Sequence, residues 1–276
     1  MNAHGVTAGV VAVWLALLAA PASAQEKPIE PDRPDFTNGA HLVPRHAVEV
    51  ELGAAYVRDA DGEHSSTAPV SARIGVSDWL EVEVGVDALV AAASSDTEAT
   101  GGGAFQVGAK IRLWSAPDGE SLFSILSAVD VPTAVDEHGT KSRDPDVTVR
   151  ALWGFDVGSR GHLDVNYGIG SIRTTLSEPR FVQHVASGSF TAVVTPRLTP
   201  YVEVFGISRE HADGTPVVAL SAGATYLLRP RVAVDAGVLF GTTAAAPAFS
   251  AFGGLSFIVK GARPAATSAS RVPGRD

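Results

Sequence analysis

The chain has 276 residues, of which 45% are hydrophobic and 28 are glycine, and it contains no cysteine. Without cysteine it forms neither disulfides nor thiolate metal sites, and it has no thiol nucleophile. Its formal net charge of −9 argues against a basic surface that binds nucleic acid by counterion release, so no nucleic-acid partner is expected.

The first 24 residues have the pattern of a secretory signal peptide. Residues 6–20 are an apolar run, and residues 22–24 are the small side chains that a signal peptidase accepts. The run is shorter than the roughly 20 residues that a membrane-spanning helix needs, although no Lys or Arg precedes it. We therefore expect residues 1–24 to be removed on export and the mature chain to begin at Gln25.

Residues 25–45 are rich in proline and charge, so they cannot form a regular element of any length. From residue 46 to residue 260 apolar and polar residues alternate, which is the pattern of strands with one dry and one wet face. Twelve strands are predicted, at 46–57, 67–76, 79–89, 102–114, 120–131, 145–157, 160–171, 181–195, 199–209, 215–228, 231–241 and 248–260. The faces of 181–195 and 199–209 stay unassigned, and residues 261–276 are predicted to be a disordered tail.

The connections between these strands alternate in length, with long ones at 58–67 and 133–144 and tight ones such as residues 77–78. This alternation is typical of outer-membrane barrels, which have short periplasmic turns and longer outer loops. Aromatic residues fall near two rims, as membrane girdles do. They are Trp79, Trp114, Phe123, Trp153, Phe155, Tyr201, Tyr226 and Phe257 near the short turns, and Tyr56, Phe105, Phe181, Phe240 and Phe249 near the other rim. The sequence therefore predicts an all-β fold, a transmembrane up-and-down antiparallel β-barrel of about 12 strands over residues 46–260, with its apolar face in lipid.

Charged residues lie on the predicted inner face of this barrel. They are Glu49, Glu51, Arg73, Glu81, Glu83, Lys110, Arg112 and Arg150. On the first four strands acids and bases alternate at similar heights, and two interpretations stay open. The ladder forms a charged constriction that selects solutes, or it is an internal network that fills a narrow barrel. Because Arg33 and Asp35 could pair with this ladder, residues 25–45 are expected to form a partial plug at the periplasmic mouth.

No catalytic motif stands out, and no metal site or cofactor is predicted. His64, His138 and His211 fall in three different outer loops. Two alternatives stay open. One is an outer-membrane lipid hydrolase, for which His184 with Ser187 or Ser189 is the nearest candidate pair. The other is a soluble, secreted β-sandwich that binds a ligand.

The segment from residue 33 to residue 53 resembles the opening of the transporter-like outer-membrane proteins of the MetA pathway of phenol degradation. The matching motif residues are Arg33, Pro34, Asp35, Thr37, Val43 and Pro44, while Arg45 stands where glycine is usual. Residues 127–134, 234–241 and 251–260 are similar to the family's later strands. The resemblance implies a barrel in the bacterial outer membrane that transports small hydrophobic or aromatic molecules, and without a catalytic motif no enzymatic activity is expected. Its partners would be outer-membrane lipid, the small-molecule cargo and the outer-membrane assembly machinery.

Overall fold

A computed structural model describes residues 28–93, 98–101, 103–132, 144–174 and 178–260. The predicted signal peptide at 1–24, the predicted tail at 261–276 and His138 lie outside these ranges. Within them, no helix is long and apolar enough to cross a membrane.

In the part of the chain that the structure describes, thirteen strands form one antiparallel sheet that closes on itself, because the first strand pairs with the last. The strands are β1 (Val48–Arg58), β2 (His64–Gly75), β3 (Leu80–Ala93), β4 (Glu98–Gly101), β5 (Ala104–Ser115), β6 (Ser121–Pro132), β7 (Asp146–Val157), β8 (Gly161–Ile172), β9 (Phe181–Ala192), β10 (Leu198–Ile207), β11 (Val217–Arg229), β12 (Val232–Gly241) and β13 (Phe249–Lys260). β4 pairs only with the end of β3, so twelve strands make the barrel and the prediction is confirmed.

The two ends of the barrel differ in the length of their connections. Tight turns join β2 to β3, β7 to β8 and β11 to β12, and the chain enters β1 from this short-turn end. The opposite, long-loop end carries the connections from β6 to β7 and from β10 to β11. In barrels of this type the short turns face the periplasm.

One connection is shorter than the sequence predicts. β1 continues to Arg58 and β2 begins at His64, where a loop over 58–67 was expected. Residues 64–67 are uniformly polar, so they show no alternation of polarity. They extend β2 because backbone pairing does not depend on that alternation.

The inner and outer faces of the wall differ in polarity. Buried polar side chains point inward on most strands, among them Glu49, Arg73, Lys110, Asn166, Ser189, Glu203 and Asp235. Large apolar side chains are exposed on the outer face, among them Leu52, Val107, Val149, Trp153, Val204 and Phe240. The predicted assignment of the apolar face to the outside therefore agrees with the burial pattern.

Two aromatic residues do not belong to the girdles in which the sequence placed them. Tyr201 and Phe181 are buried on the inner face, where the Tyr201 hydroxyl lies 3.0 Å from Ser221 Oγ. Both are on β9 and β10, the two strands whose faces the sequence left unassigned. The inner face of these strands carries apolar side chains as well as polar ones. The polarity of the sequence therefore alternates too weakly there to show which residues point inward.

Candidate functional site: the lumen and the segment inside it

The predicted charge ladder is a contiguous ion cluster near the short-turn end. Arg73 on β2 is its centre, and its Nε donates a hydrogen bond to Glu81 Oε1 at 2.9 Å. Its Nη1 lies 3.3 Å from Glu49 Oε1 and 3.6 Å from Glu51 Oε1. Since β1, β2 and β3 are neighbours in register, one guanidinium reaches carboxylates on both adjacent strands.

Lys110 on β5 continues this cluster and is fully buried. Its Nζ lies 2.6 Å from Asp32 Oδ2, 3.3 Å from Glu83 Oε1 and 3.7 Å from Glu81 Oε1. The three carboxylates stand close enough together to hold a metal ion. The ammonium group already lies in hydrogen-bonding or ion-pair distance of each of them, so the arrangement is an ion cluster of this chain's own charges.

Two of the predicted lumen residues lie apart from these contacts. Arg112 is half-buried, and its Nε has no hydrogen-bond partner among the described residues. Arg150 on β7 donates from Nη1 to Asn38 Oδ1 at 3.0 Å, and its guanidinium lies 5.4 Å from the centre of the Phe36 ring. Arg150 therefore contacts the N-terminal segment directly.

The N-terminal segment, residues 28–45, lies against the inner face of the barrel, and two of its residues, Asp32 and Val43, contact the ion cluster. Asp32 accepts from Lys110, and its backbone N–H donates to Glu51 Oε1 at 3.0 Å. The Val43 N–H donates to Glu81 Oε2. Burial raises the pKa of the Asp32 carboxyl, but Arg73 and Lys110 outweigh this effect and hold the pKa well below its usual range.

Arg33 packs against two glycines, Gly53 and Gly254, where the first and last strands of the barrel pair. Its Nη2 donates to Asp235 Oδ1 at 3.3 Å and to the Gly253 carbonyl at 3.1 Å. A Cβ on Gly53 of β1 would lie 2.3 Å from Arg33 Nη1, and a Cβ on Gly254 of β13 would lie 2.6 Å from Nε. These two glycines face each other in register, so the wall is shaped to receive the guanidinium.

Glu203 on β10 receives the middle of the segment. Its Oε1 accepts from the Thr37 backbone N–H at 2.7 Å and from the Thr37 hydroxyl at 2.6 Å, while Oε2 accepts from the Phe36 N–H at 3.1 Å. The Phe36 ring stacks on Phe205 with a centroid distance of 4.3 Å. Burial and the Glu203 carboxylate raise the pKa of the adjacent Asp35 carboxyl well above its usual range.

The returning part of the segment crosses to β6 and β8. The Asn38 carbonyl accepts from Asn166 Nδ2 at 3.0 Å, and the Ala40 carbonyl accepts from Ser124 Oγ at 2.6 Å. Ala40 also packs on Leu126 and Leu152 of the inner wall. The segment therefore contacts opposite sides of the lumen.

The residues of the family motif serve this docking in different ways. Arg33, Thr37 and Val43 make the contacts described above, and Pro34 and Asp35 line a cavity beside the segment. The Pro44 carbonyl lies against Gly75 at the end of β2, where a Cβ would approach it to 2.2 Å.

An apolar patch lines the inner wall toward the long-loop end. Phe205 and Val217 are its buried centre, and Phe36 of the segment packs against it. We call this set the apolar patch: Phe205, Ile207, Val217, Ala219, Leu239 and Ala246. The lumen is thus charged at one wall near the short turns and apolar at another wall nearer the long loops.

The candidate hydrolase pair is not assembled. Tyr167 OH lies 2.8 Å from His184 Nδ1, and Tyr167 is exposed on the outer face. Ser187 and Ser189 lie on β9, the strand of His184, but they are buried on its inner face. The wall of the barrel therefore separates the histidine from both hydroxyls.

Sequence reasoning missed several residues of this site, including Asp32, Asn38, Ala40 and Glu203. Glu203 lies on a strand whose inner face could not be assigned. The other three lie in a segment without any periodic pattern, and their partners are far away in the chain. The sequence did show one signal: Asp32 and Arg33 are neighbours of opposite charge, and each pairs with a different charged residue of the wall.

Comparison with known proteins agrees with this architecture. The family described as "Putative MetA-pathway of phenol degradation" matches residues 31–258. The NanC porin superposes with a TM-score of 0.55 at 9% identity, covering 75% of this chain and 98% of that one. The KdgM porin gives 0.52 at 8% identity, covering 76% and 98%. At such identities the likeness shows the fold. No curated protein sequence matches the chain.

Proposed function

The chain belongs to the MetA-pathway phenol-degradation family, and from this premise we propose that it is an outer-membrane channel for small apolar or aromatic molecules. The N-terminal 24 residues would direct its export, and the barrel would sit in outer-membrane lipid with its short turns toward the periplasm.

The apolar patch is the observation that carries this proposal. A barrel that admits only ions has no need of aromatic and aliphatic side chains on its inner wall, because water solvates them poorly. Here Phe205 and Val217 face inward near the long-loop end, where a solute from outside would arrive first. The name of the matched family, which refers to phenol degradation, points to the same class of cargo.

The test is single-channel conductance of the purified protein in a planar bilayer. We expect discrete current steps, and we expect benzoate to interrupt the current more than acetate, which has the same charge without a ring. A variant lacking residues 26–43 should conduct more than the full chain. Absence of steps from both proteins, with the barrel correctly folded, would contradict the proposal.

Two neighbouring valines give a matched pair of variants. Val217→Ser changes the inner patch, and Val218→Ser changes the next residue, which points to the outer face. Val217→Ser should weaken the interruption by benzoate at least threefold, and Val218→Ser should leave it unchanged. Equal effects would mean that the patch does not contact the solute.

A further inference from the structure

Asp32 and Val43 of the N-terminal segment are bound at one wall of the barrel, and the residues between them reach the other walls. Asp32 contacts Lys110 and the Val43 N–H contacts Glu81, two residues that are themselves within ion-pair distance. Residues 33–42 therefore form a loop whose base is fixed at the ion cluster. We propose that this loop is a hinged gate: its base stays in place while its tip leaves the opposite wall to open the lumen. The inference rests on the proposed channel function.

The base of the loop is held by several charges at once. Asp32 lies 3.5 Å from Arg73 and 2.6 Å from Lys110. A hydrogen bond of 3.2 Å from the Gly39 N–H to Asp32 joins the tip to the base and has to break when the tip moves. On the other chain of the loop, His41 Nε2 lies 2.6 Å from the Glu30 carbonyl. Hydrogen bonds between charged groups are stronger than neutral ones, and here they share partners. Releasing the base would therefore break many contacts together.

The tip of the loop is held differently, by contacts to separate strands. Asn38 contacts β7 and β8, Ala40 contacts β6, and Thr37 contacts β10. Two of the Asn38 and Ala40 contacts are single hydrogen bonds to the backbone carbonyls of these residues, and the others are Arg150 Nη1 to Asn38 Oδ1 and the Ala40 N–H to Asp164 Oδ1 at 3.4 Å. The wall residues that bind the tip lie on separate strands and do not share one charged partner. The contacts to each strand can therefore break independently of the others. Glu203 is the strongest of them, since it accepts three donors.

There is space for the tip to move. A cavity of about 520 Å³ lies between the tip and the short-turn end of β6, β8 and β10. Pro34, Asp35 and Gly39 of the loop form one side of it, and Leu122 and Tyr201 of the wall line the other. The tip can swing into this volume without moving a strand of the barrel.

The chain has no cysteine, so single thiols report on the loop without background. Ala40 at the tip and Val43 at the base are a matched pair, because they are 1% and 3% exposed and three positions apart. In the folded barrel in detergent, Ala40→Cys should react with a small maleimide at least tenfold faster than Val43→Cys. Equal rates would mean that the segment leaves as a whole, and failure of both thiols to react would mean that it stays fixed. Either result would overturn the hinge.

A reversible crosslink tests the gate itself. A Cβ on Gly154 of β7 would lie 3.4 Å from Ala40 Cβ, close to the roughly 3.8 Å that a disulfide requires. The same Cβ would approach His162 and Asp164, whose side chains must shift, so Gly154→Cys alone is the control for folding and conductance. Oxidised Ala40→Cys/Gly154→Cys should lose at least nine-tenths of its conductance and regain it on reduction.

The outcomes separate the two proposals. If the crosslink forms and the oxidised protein conducts as well as the reduced one, the gate is wrong and the channel stands. If neither the full chain nor the variant lacking residues 26–43 conducts, although both barrels are folded, the channel proposal fails. The labelling rates still decide whether the loop is hinged, because they do not depend on transport.

Discussion

Replacing Lys110 by methionine tests whether the ion cluster holds the barrel and its loop together. The substitution keeps most of the length of the side chain and removes a fully buried ammonium group that lies 2.6 Å from Asp32. At an effective dielectric constant of about 20, this ion pair alone corresponds to about 6 kcal/mol of gross attraction. Much of that offsets the removal of the ions from water. Loss of one partner of a buried pair costs about 3–5 kcal/mol, and we expect Lys110→Met to lower the free energy of unfolding by this amount at neutral pH.

The deficit of Lys110→Met should depend on pH in a defined direction. In the folded protein Arg73 and Lys110 lower the pKa of Asp32, against the effect of burial. A carboxyl whose pKa is lowered by folding stabilises the protein above its unfolded pKa of about 3.9, and this contribution is lost as the pH falls toward the folded value. Lys110→Met removes part of that contribution. Its deficit should therefore be largest at neutral pH and shrink at more acidic pH.

The assay is equilibrium unfolding in urea of the barrel folded in lipid vesicles, followed by the fluorescence of its tryptophans. Arg112→Met is the matched control, since Arg112 is two positions away on the same inner face and only half-buried. We expect Arg112→Met to change the free energy of unfolding by less than about 1 kcal/mol, because Arg112 makes none of the ion pairs described for Arg73 and Lys110. Equal losses in both variants, or a Lys110→Met deficit that persists at acidic pH, would refute the reasoning.

Four further predictions follow from the wall and the loop. Val84→Lys puts a charge on the outer face and should lower the free energy of unfolding in lipid by about 2–4 kcal/mol. Glu83→Lys should lower the free energy of unfolding less, because carboxylates outnumber cations in the ion cluster. The reverse ranking in urea unfolding would mean that the faces of β3 are misassigned. Gly53→Ala should lower the stability by about 1–3 kcal/mol by displacing the Arg33 guanidinium, and a double-mutant cycle should show a smaller effect in an Arg33→Ala background; strict additivity would count against the contact. Because folding raises the pKa of Asp35, the stability should fall as the pH rises from the unfolded pKa of about 3.9 toward the folded pKa. Asp35→Asn should flatten this slope, and parallel pH profiles of the two proteins would show that the carboxyl does not contribute. Finally, the closed barrel should migrate faster in a detergent gel unheated than boiled, and identical mobility would contradict closure.

The strands were predictable because the membrane imposes a simple pattern on them. Between Leu80 and Val86 every outward residue meets lipid and must be apolar, so the alternation survives in the sequence. The same reasoning failed on β9 and β10, whose inner faces carry Phe181, Val185 and Phe205 beside Ser189 and Glu203. Where the lumen itself is apolar, the contrast between the two faces disappears.

The course of the N-terminal segment was predictable only in outline. Its charges and prolines indicate that it is irregular and that it has cationic and anionic partners, from which a partial plug is a reasonable hypothesis. The partners themselves do not follow from the sequence. Thr37 and Glu203 are 166 positions apart, and Arg33 and Asp235 are 202 positions apart. Only the closed barrel brings them together, and no local propensity records that proximity.

The pair of glycines that contacts Arg33 limits the order in which the barrel and its N-terminal segment assemble. Gly53 belongs to the first strand of the barrel and Gly254 to the last, and the two meet only when β1 and β13 have paired. The receiving surface for the guanidinium therefore does not exist in any assembly intermediate with an unzipped seam. Arg33 therefore gains its full set of contacts no earlier than closure, and docking of the N-terminal segment is complete only when the first and last strands have paired.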